Sequence, residues 1–257
     1  MKDTADLVSF YEDAYTQSEA SAGLIYARWR ALGAVGKAEH IARLCARRAI
    51  EPSSTLEVGC GDGALLSELH RRGFGGSLHG LEITAAAVQI ASGRPEIDSV
   101  ELYDGVALAQ PDGAFDLGVI SHVLEHVPEP AMLLREVARV CAAVVIEVPL
   151  EANISARRSS KRHHSDEIGH LQHLDRAAAR AIVTGAGLRV AAELDDPLPL
   201  AVHRFFADGA LAQIRAFAKW ALRSSLHRLA PALARRVFTV HYACLCLPPT
   251  AGTAGER

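Results

Sequence analysis

Three glycines follow a short apolar run near residue 60, in the sequence Thr55-Leu56-Glu57-Val58-Gly59-Cys60-Gly61-Asp62-Gly63-Ala64. Glycine adopts positive φ angles freely and lets another molecule approach the backbone closely. A glycine turn between a strand and a helix therefore predicts a cofactor at the carboxyl edge of a sheet. Gly59, Gly61 and Ala64 also satisfy the dinucleotide pattern G-x-G-x-x-G/A, so an NAD-dependent enzyme is one interpretation of this loop.

Two further acids stand at the ends of the next two apolar runs. Glu82 lies 19 residues after Gly63, where a carboxylate can accept hydrogen bonds from both hydroxyls of a ribose. Asp104 ends the following run, where an acceptor can meet an adenine amino group. Both acids could instead be solvated loop residues. Their position after successive strands favours a nucleotide site.

The chain contains twelve histidines, and several lie with two acids in one segment: His163, His164, Asp166, Glu167, His170 and His173. Their spacing matches neither H-E-x-x-H nor a Cys/His zinc pattern, so we predict no metal site there. Histidine has a pKa near neutrality and can remove a proton from an attacking hydroxyl, which makes His126 and His170 candidate general bases. Each could equally be packed under a loop and bonded to a backbone carbonyl. His122 is interpreted as structural.

These side chains need a scaffold, and the apolar pattern supplies one. Short apolar runs predict strands at 54–58, 77–83, 99–103, 115–120, 142–149, 188–194 and 238–247. Amphipathic segments predict helices at 63–72, 84–92, 129–140 and 175–186. Strand and helix in alternation indicate an α/β fold with a parallel, doubly wound sheet.

The ordered set of motifs resembles the class I S-adenosylmethionine-dependent methyltransferases. Glu57-x-Gly59-x-Gly61-x-Gly63 is similar to motif I of that family, and residues 111–117 resemble its fourth-strand segment. His122-Val123-Leu124-Glu125-His126-Val127-Pro128 resembles the segment that follows in the small-molecule branch. The resemblance covers roughly residues 54–195. It implies a Rossmann-like sheet of seven strands in which strand 238–247 runs antiparallel beside strand 188–194.

The resemblance also implies a cofactor, S-adenosylmethionine, and roles for its neighbours. The acid matching Glu57 orients the loop and the cofactor's amino group, the glycines contact the methionine part, and the acid matching Glu82 binds the ribose. Relatives usually have Gly-Asp-Ala where this chain has Tyr103-Asp104-Gly105, which weakens the adenine role of Asp104. The predicted cofactor-binding residues are Glu57, Gly59, Cys60, Gly61, Gly63, Glu82, Ile83, Asp104, Gly105 and Ser121.

Composition limits the remaining choices. Hydrophobic residues make up 49% of the 257 residues, and the net charge of −3 gives no field that would gather nucleic acid. The start of the chain lacks a signal-peptide pattern and no window has 18 apolar residues, so we expect a cytoplasmic protein without a stable membrane insertion. The expected organisation is a helical cap at 1–50, the cofactor-binding domain at 51–249 and a flexible tail at 250–257.

A helical insert is predicted at 202–236, before the last strand. Residues 203–237 hold seven basic side chains and one acid, a local charge of +6, and we expect their apolar positions to dock on the domain. The insert could then bind an anionic acceptor, a carrier protein or a membrane surface, or be a solvated helix face. Insert and cap could both close over the substrate. The aromatic residues of the cap, Tyr11, Tyr15, Tyr26 and Trp29, are otherwise core.

The prediction for function is methylation of a small molecule, on oxygen or nitrogen, in a tailoring or secondary-metabolite pathway. The main alternative is a quinone or lipid C-methyltransferase. A non-catalytic adenosylmethionine-binding module and an NAD-dependent oxidoreductase are weaker alternatives. The acceptor, the methylated atom and the oligomeric state do not follow from the sequence.

Overall fold

A computed structural model of the chain describes residues 8–9, 11–12, 15–16, 21–158, 163 and 169–249. The predicted tail at 250–257 lies outside the described residues. So do His164, Asp166 and Glu167 of the histidine-rich segment.

Seven strands form one sheet in the order β3-β2-β1-β4-β5-β7-β6. Strands β1 to β5 are parallel, whereas β7 runs antiparallel to both β5 and β6. This confirms the predicted seven-stranded sheet and the antiparallel pairing of its last two strands. The bounds are β1 Ser54–Val58, β2 Ser77–Glu82, β3 Ser99–Leu102, β4 Phe115–Ser121, β5 Cys141–Pro149, β6 Arg189–Asp196 and β7 His241–Leu247.

Strand β7 begins three residues later than the predicted 238–247. The helix before it continues to Val237, and the amide of Phe238 still donates to the carbonyl of Ala234 at 2.8 Å. The chain therefore becomes extended only after this last helical hydrogen bond.

Eight α-helices surround the sheet in the described part of the chain, with a short 3₁₀ turn at Leu124–His126. None of the helices described is long and apolar enough to cross a bilayer. The bounds are α1 Ser21–Ala46, α2 Ala64–Arg71, α3 Ala85–Ser92, α4 Pro130–Val140, α5 Arg176–Gly185, α6 Leu200–Arg204, α7 Gly209–Leu229 and α8 Pro231–Val237.

Both faces of the sheet are buried. In β5, Val144 and Ile146 belong to one apolar cluster, which α4 and α5 cover. Ala143 and Val145 alternate with them and belong to a second cluster, which α1 and α2 cover. Successive strand residues point to opposite faces, so a strand buried on both faces is apolar throughout. The buried polar side chains of the strands consequently lie near the strand ends.

The helical insert differs from its prediction in one respect. In α7, the buried side chains are Ala216 and Arg223 alone. Large apolar side chains of the insert are solvent-exposed instead: Phe206, Leu211, Ile214, Phe217, Leu222, Leu229 and Leu233. The expectation that the apolar positions dock on the domain is therefore wrong for most of α7. The insert presents apolar and basic side chains to the outside together.

The turn before β2 offers a matched test of the fold. Gly73 and Gly76 share the same φ angle of +64°, but a Cβ at Gly76 would overlap the carbonyl of Ser53, whereas a Cβ at Gly73 meets no atom within 4 Å. Left-handed backbone costs alanine about 1–2 kcal/mol, and forced overlap adds about 1–3 kcal/mol. We expect Gly76→Ala to lower the free energy of unfolding by about 3 kcal/mol and Gly73→Ala by about 1 kcal/mol. Equal losses in urea denaturation would contradict this packing.

Candidate functional site

Two adjoining cavities open at the carboxyl edge of the parallel strands. The smaller has a volume of about 150 Å³ and the larger about 580 Å³. Residues from the amino-terminal segment, the glycine loop and the end of β4 line both cavities: Tyr11, Tyr15, Gly59, Gly61, His122 and His126. These shared residues mark the junction where a molecule in one cavity meets a molecule in the other.

The glycine loop at this junction has no room for side chains. Gly59 and Gly61 have φ angles of +76° and +55°. A Cβ at Gly59 would overlap the side chain of Val123, and a Cβ at Gly61 would lie 2.6 Å from the hydroxyl of Tyr15. The loop thus requires glycine both for its backbone conformation and for close packing.

The glycine loop is anchored on two sides. The amide of Gly61 donates to Glu82 Oε2 at 2.8 Å, and the amide of Ile83 donates to Glu82 Oε1 at 2.7 Å. On the other side, Arg30 of α1 donates to the buried carboxylate of Asp62 at 2.8 Å. The cap helix and the end of β2 therefore hold the loop between them.

Two of the acids predicted to bind the cofactor are buried at this edge of the sheet. Glu57 is 3% exposed and Glu82 6% exposed. Burial raises the pKa of both carboxyls, although the amides of Gly61 and Ile83 oppose the shift at Glu82. Glu57 lines the larger cavity, and its Oε2 has no hydrogen-bond partner among the described residues. An unpaired buried carboxylate oxygen is suited to a bound ammonium group.

The other predicted cofactor residues lie in different places. Ile83 and Gly105 line the smaller cavity, and Cys60 and Ser121 line the larger one. The hydroxyl of Ser121 is buried without a hydrogen-bond partner in the described part of the chain.

Asp104 and Gly63 are in neither cavity lining. The exposed carboxylate of Asp104 accepts from the amides of Val106 and Ala107 at 2.8 and 3.0 Å, and these bonds hold its pKa below the usual range. Gly63 precedes α2, and a Cβ there would lie 2.6 Å from Ile97 Cδ1. Both residues therefore shape turns beside the cavities.

The two predicted bases lie together. The rings of His126 and His170 are 4.7 Å apart, edge to face, and both line the larger cavity. Burial lowers the pKa of His126, so its neutral form predominates at pH 7. His126 Nδ1 lies 3.1 Å from the carbonyl of Gly169, which favours the Nδ1–H tautomer with Nε2 as the acceptor. His170 Nδ1 contacts Glu151 at 2.8 Å. This geometry allows either ring to take a proton.

The structure adds polar residues that the sequence reasoning missed. His40 of α1 contacts Glu147 at 2.8 Å and Asp196 at 3.3 Å, and His241 Nδ1 lies 3.1 Å from Glu147. His122, interpreted as structural, lines both cavities and has a φ of +59°. Glu147 lies near the end of a predicted strand. The same position at a strand end identified Glu82, so it could also have identified Glu147.

Fold and site together define a Rossmann-like α/β domain that binds a nucleotide-like cofactor at its strand ends. The chain belongs to the methyltransferase domain family, whose sequence profile matches residues 26–193. This confirms the family resemblance and resolves the ambiguity of the glycine pattern, because that pattern alone also fits NAD-dependent enzymes.

Relatives of known activity share part of this chain. It is 26% identical over 127 residues to ajmaline N-methyltransferase from Rauvolfia serpentina, covering 46% of this chain and 43% of that protein. It is 31% identical over 113 residues to the ubiquinone biosynthesis O-methyltransferase of Albidiferax ferrireducens (strain ATCC BAA-621 / DSM 15236 / T118), covering 42% and 41%. The matches thus span about two fifths of each relative.

A solved structure extends the similarity over almost the whole chain. The magnesium protoporphyrin IX methyltransferase of Synechocystis PCC 6803, solved with bound S-adenosylhomocysteine, superimposes with a TM-score of 0.59. The superposition covers 96% of this chain and 100% of that chain at 11% identity. At this identity the likeness establishes the shared fold.

Proposed function

We propose that this protein is an S-adenosylmethionine-dependent methyltransferase that methylates oxygen or nitrogen of a small, polar acceptor. The observation that carries the proposal is the junction of the two cavities at the glycine loop. A cofactor that contacts Gly59 and Gly61 would present its reactive carbon there, beside His122 and His126. Family membership and the strand-end acids support the same conclusion.

The residues present suit this cofactor at both of its ends. Glu82 has both oxygens near the loop and can accept from ribose hydroxyls. The unpaired oxygen of Glu57 and the unpaired hydroxyl of Ser121 can accept hydrogen bonds from the amino-acid ammonium group. Gly105, next to Tyr103 in the smaller cavity, allows a flat ring system to approach the backbone.

Positioning supplies much of the rate in such a reaction. Bound S-adenosylmethionine supplies a methyl group on a sulfonium, whose departure needs no acid catalyst. The chain's own task is to align the acceptor with that carbon and to exclude water. Tyr11 and Tyr15 cover the junction, and His126 or His170 can receive the proton of a hydroxyl acceptor.

The organisation of the chain supports separate segments for cofactor binding and for coverage of the acceptor. We assign residues 51–249 to the cofactor-binding domain, with the cap at 1–50 and the insert at 202–236 covering the acceptor. Trp29 of the cap packs on Phe205 and Phe206 of the insert, with ring centroids 5.2 and 5.1 Å apart. Val202 and Trp29 both line the larger cavity. We place the enzyme in the cytoplasm.

Binding of S-adenosylhomocysteine tests the cofactor. We expect Glu82→Ala to weaken it by about 2–3 kcal/mol, because two charge-assisted hydrogen bonds are lost. Glu101→Ala, at an exposed residue of the neighbouring β3, should leave the affinity unchanged. Isothermal titration calorimetry measures both, with thermal melting to verify folding. Binding of NADH without any response to S-adenosylhomocysteine would refute the proposal.

Replacement of the candidate bases tests the proton transfer. A hydroxyl acceptor is first found by screening for transfer of a labelled methyl group. If His126 or His170 is the essential base, its replacement by alanine should lower the turnover of the enzyme about 100-fold. Cofactor affinity should stay nearly unchanged, because neither imidazole is assigned to cofactor binding. Near-wild-type turnover in both variants would remove the two histidines as essential bases. Absence of transfer to every acceptor, with intact cofactor binding, would favour a non-catalytic binding module.

The exposed insert favours a second candidate, methylation of a quinone or lipid. Exposed Ile214 and Leu222 share α7 with exposed Arg215 and Lys219, a combination that binds anionic bilayer surfaces. If the acceptor is drawn from a membrane, the protein should co-sediment with phosphatidylglycerol vesicles but much less with phosphatidylcholine vesicles. Ile214→Asp should reduce this binding, whereas Glu101→Ala should not. Equal recovery in the supernatant with both vesicles would leave the small polar acceptor as the proposal.

A further inference from the structure

We propose that His122, Glu147 and His241 bind a divalent transition-metal ion in the wall of the larger cavity. His122 Nε2 lies 3.2 Å from His241 Nδ1. Glu147 Oε1 lies 3.1 Å from His241 Nδ1 and 3.6 Å from His122 Nε2. Three potential ligand atoms thus form a nearly equilateral triangle.

The size of this triangle matches a shared ion. Zinc lies about 2.0–2.2 Å from nitrogen and oxygen ligands. At tetrahedral or octahedral angles, two atoms bound to one such ion are separated by roughly 3.0–3.5 Å, which follows from those bond lengths. An ion placed just off the plane of the three atoms would therefore reach all of them with little movement. All three residues line the larger cavity, so the remaining coordination positions would face it.

Buried groups behind the triangle hold its members in place. His122 Nδ1, the nitrogen that points away from the triangle, lies 3.2 Å from the fully buried carboxylate of Glu125. The second oxygen of Glu147 contacts His40, which in turn contacts Asp196. A carboxylate behind a ligating histidine selects its tautomer and orients its ring. The cluster has this arrangement behind His122, whereas Glu147 is held by its contact with His40.

The fold brings these residues together from distant parts of the sequence. His122 follows the end of β4, and Glu147 lies near the end of the neighbouring β5. His241 begins β7, which pairs antiparallel to β5 with His241 opposite Pro149. Because β7 is reversed, its first residue lies at the edge where the parallel strands end. No local spacing motif links these three residues.

The charges around the cluster are compatible with an added cation. Besides Glu147 itself, the carboxylates of Glu125 and Asp196 lie beside the cluster, and the nearby basic groups in the described part of the chain are Lys37, His40 and His126. Two imidazoles and one carboxylate favour Zn²⁺, Co²⁺, Fe²⁺ or Ni²⁺ over Mg²⁺ or Ca²⁺, which prefer oxygen ligands. If the proposed methyltransferase function holds, an ion here could coordinate an acceptor oxygen and lower the pKa of its hydroxyl.

A second histidine cluster provides the main alternative. Glu125, His126 and His170 also hold ligand atoms within 4.8 Å of one another. In the first cluster the three ligand atoms lie 3.1–3.6 Å apart, which is the separation expected for atoms bound to one ion. We therefore assign the ion to the first cluster.

Cobalt binding tests the assignment. Protein stripped with EDTA should bind one equivalent of Co²⁺ and develop visible d–d absorption, which Zn²⁺ should abolish by displacement. His241→Ala and Glu147→Gln should lower the Co²⁺ affinity by about 100-fold or more, because replacement of a group behind a ligand already costs about 10–100-fold. His170→Ala and His79→Ala should retain the wild-type spectrum, because His170 belongs to the other cluster and His79 lies on β2, where it pairs with Ser99 of β3. Circular dichroism verifies the fold of each variant.

Three outcomes would overturn the proposal: no stoichiometric Co²⁺ binding, loss of the spectrum in His170→Ala, or its persistence in His241→Ala. If the ligand variants fail to fold, anomalous diffraction from a Co²⁺-soaked wild-type crystal tests the site instead. The proposal requires an anomalous peak among His122, Glu147 and His241, and its absence would overturn the proposal. S-adenosylhomocysteine binding is measured on the same EDTA-treated wild-type sample. Failure of cofactor binding with intact cobalt binding would refute the proposed function and leave the metal site standing.

Discussion

Helices cover both faces of the central sheet, and a polar side chain in the middle of a strand would therefore have no water to bond with. Burial of an unpaired polar group costs about 1–3 kcal/mol, so the buried polar side chains of the strands lie near the strand ends. The parallel direction of β1 to β5 places all their carboxyl ends at one edge. Glu57, Glu82 and Glu147 meet there for this reason, and both cavities open beside them.

The reversal of β7 changes the character of that edge. Its first residue, His241, comes to lie beside the end of β5, and α1 brings Lys37 and His40 over the same place. The larger cavity thus contains buried acids and histidines that are paired with one another. This arrangement suits a polar acceptor or a metal ion better than an apolar acceptor. The same pairs also join the cap helix to the sheet, so site and scaffold share their interactions.

Several residues that line the cavities have backbone in the left-handed region. Gly59 and Gly61 have positive φ angles without a side chain to strain, but His122 adopts +59° despite its Cβ. Left-handed backbone costs a non-glycine residue about 1–2 kcal/mol, and such strain is often found at functional sites. The amide of His122 donates to the carbonyl of Glu147 at 2.8 Å, which helps to hold this turn. The turn directs the imidazole to the junction of the cavities.

The sequence by itself determined the elements and their type, because apolar periodicity and glycine turns are local signals. It located Glu57, Glu82 and the glycine loop at strand ends, and the resemblance to a family supplied the antiparallel last strand. Tertiary structure alone decided that the apolar side chains of α7 stay exposed, that Asp104 bonds to its own turn, and that His40, His122, Glu147 and His241 converge. These residues are separated by up to 201 positions, from His40 to His241. Convergence over such distances depends on strand order and direction, which no local pattern encodes.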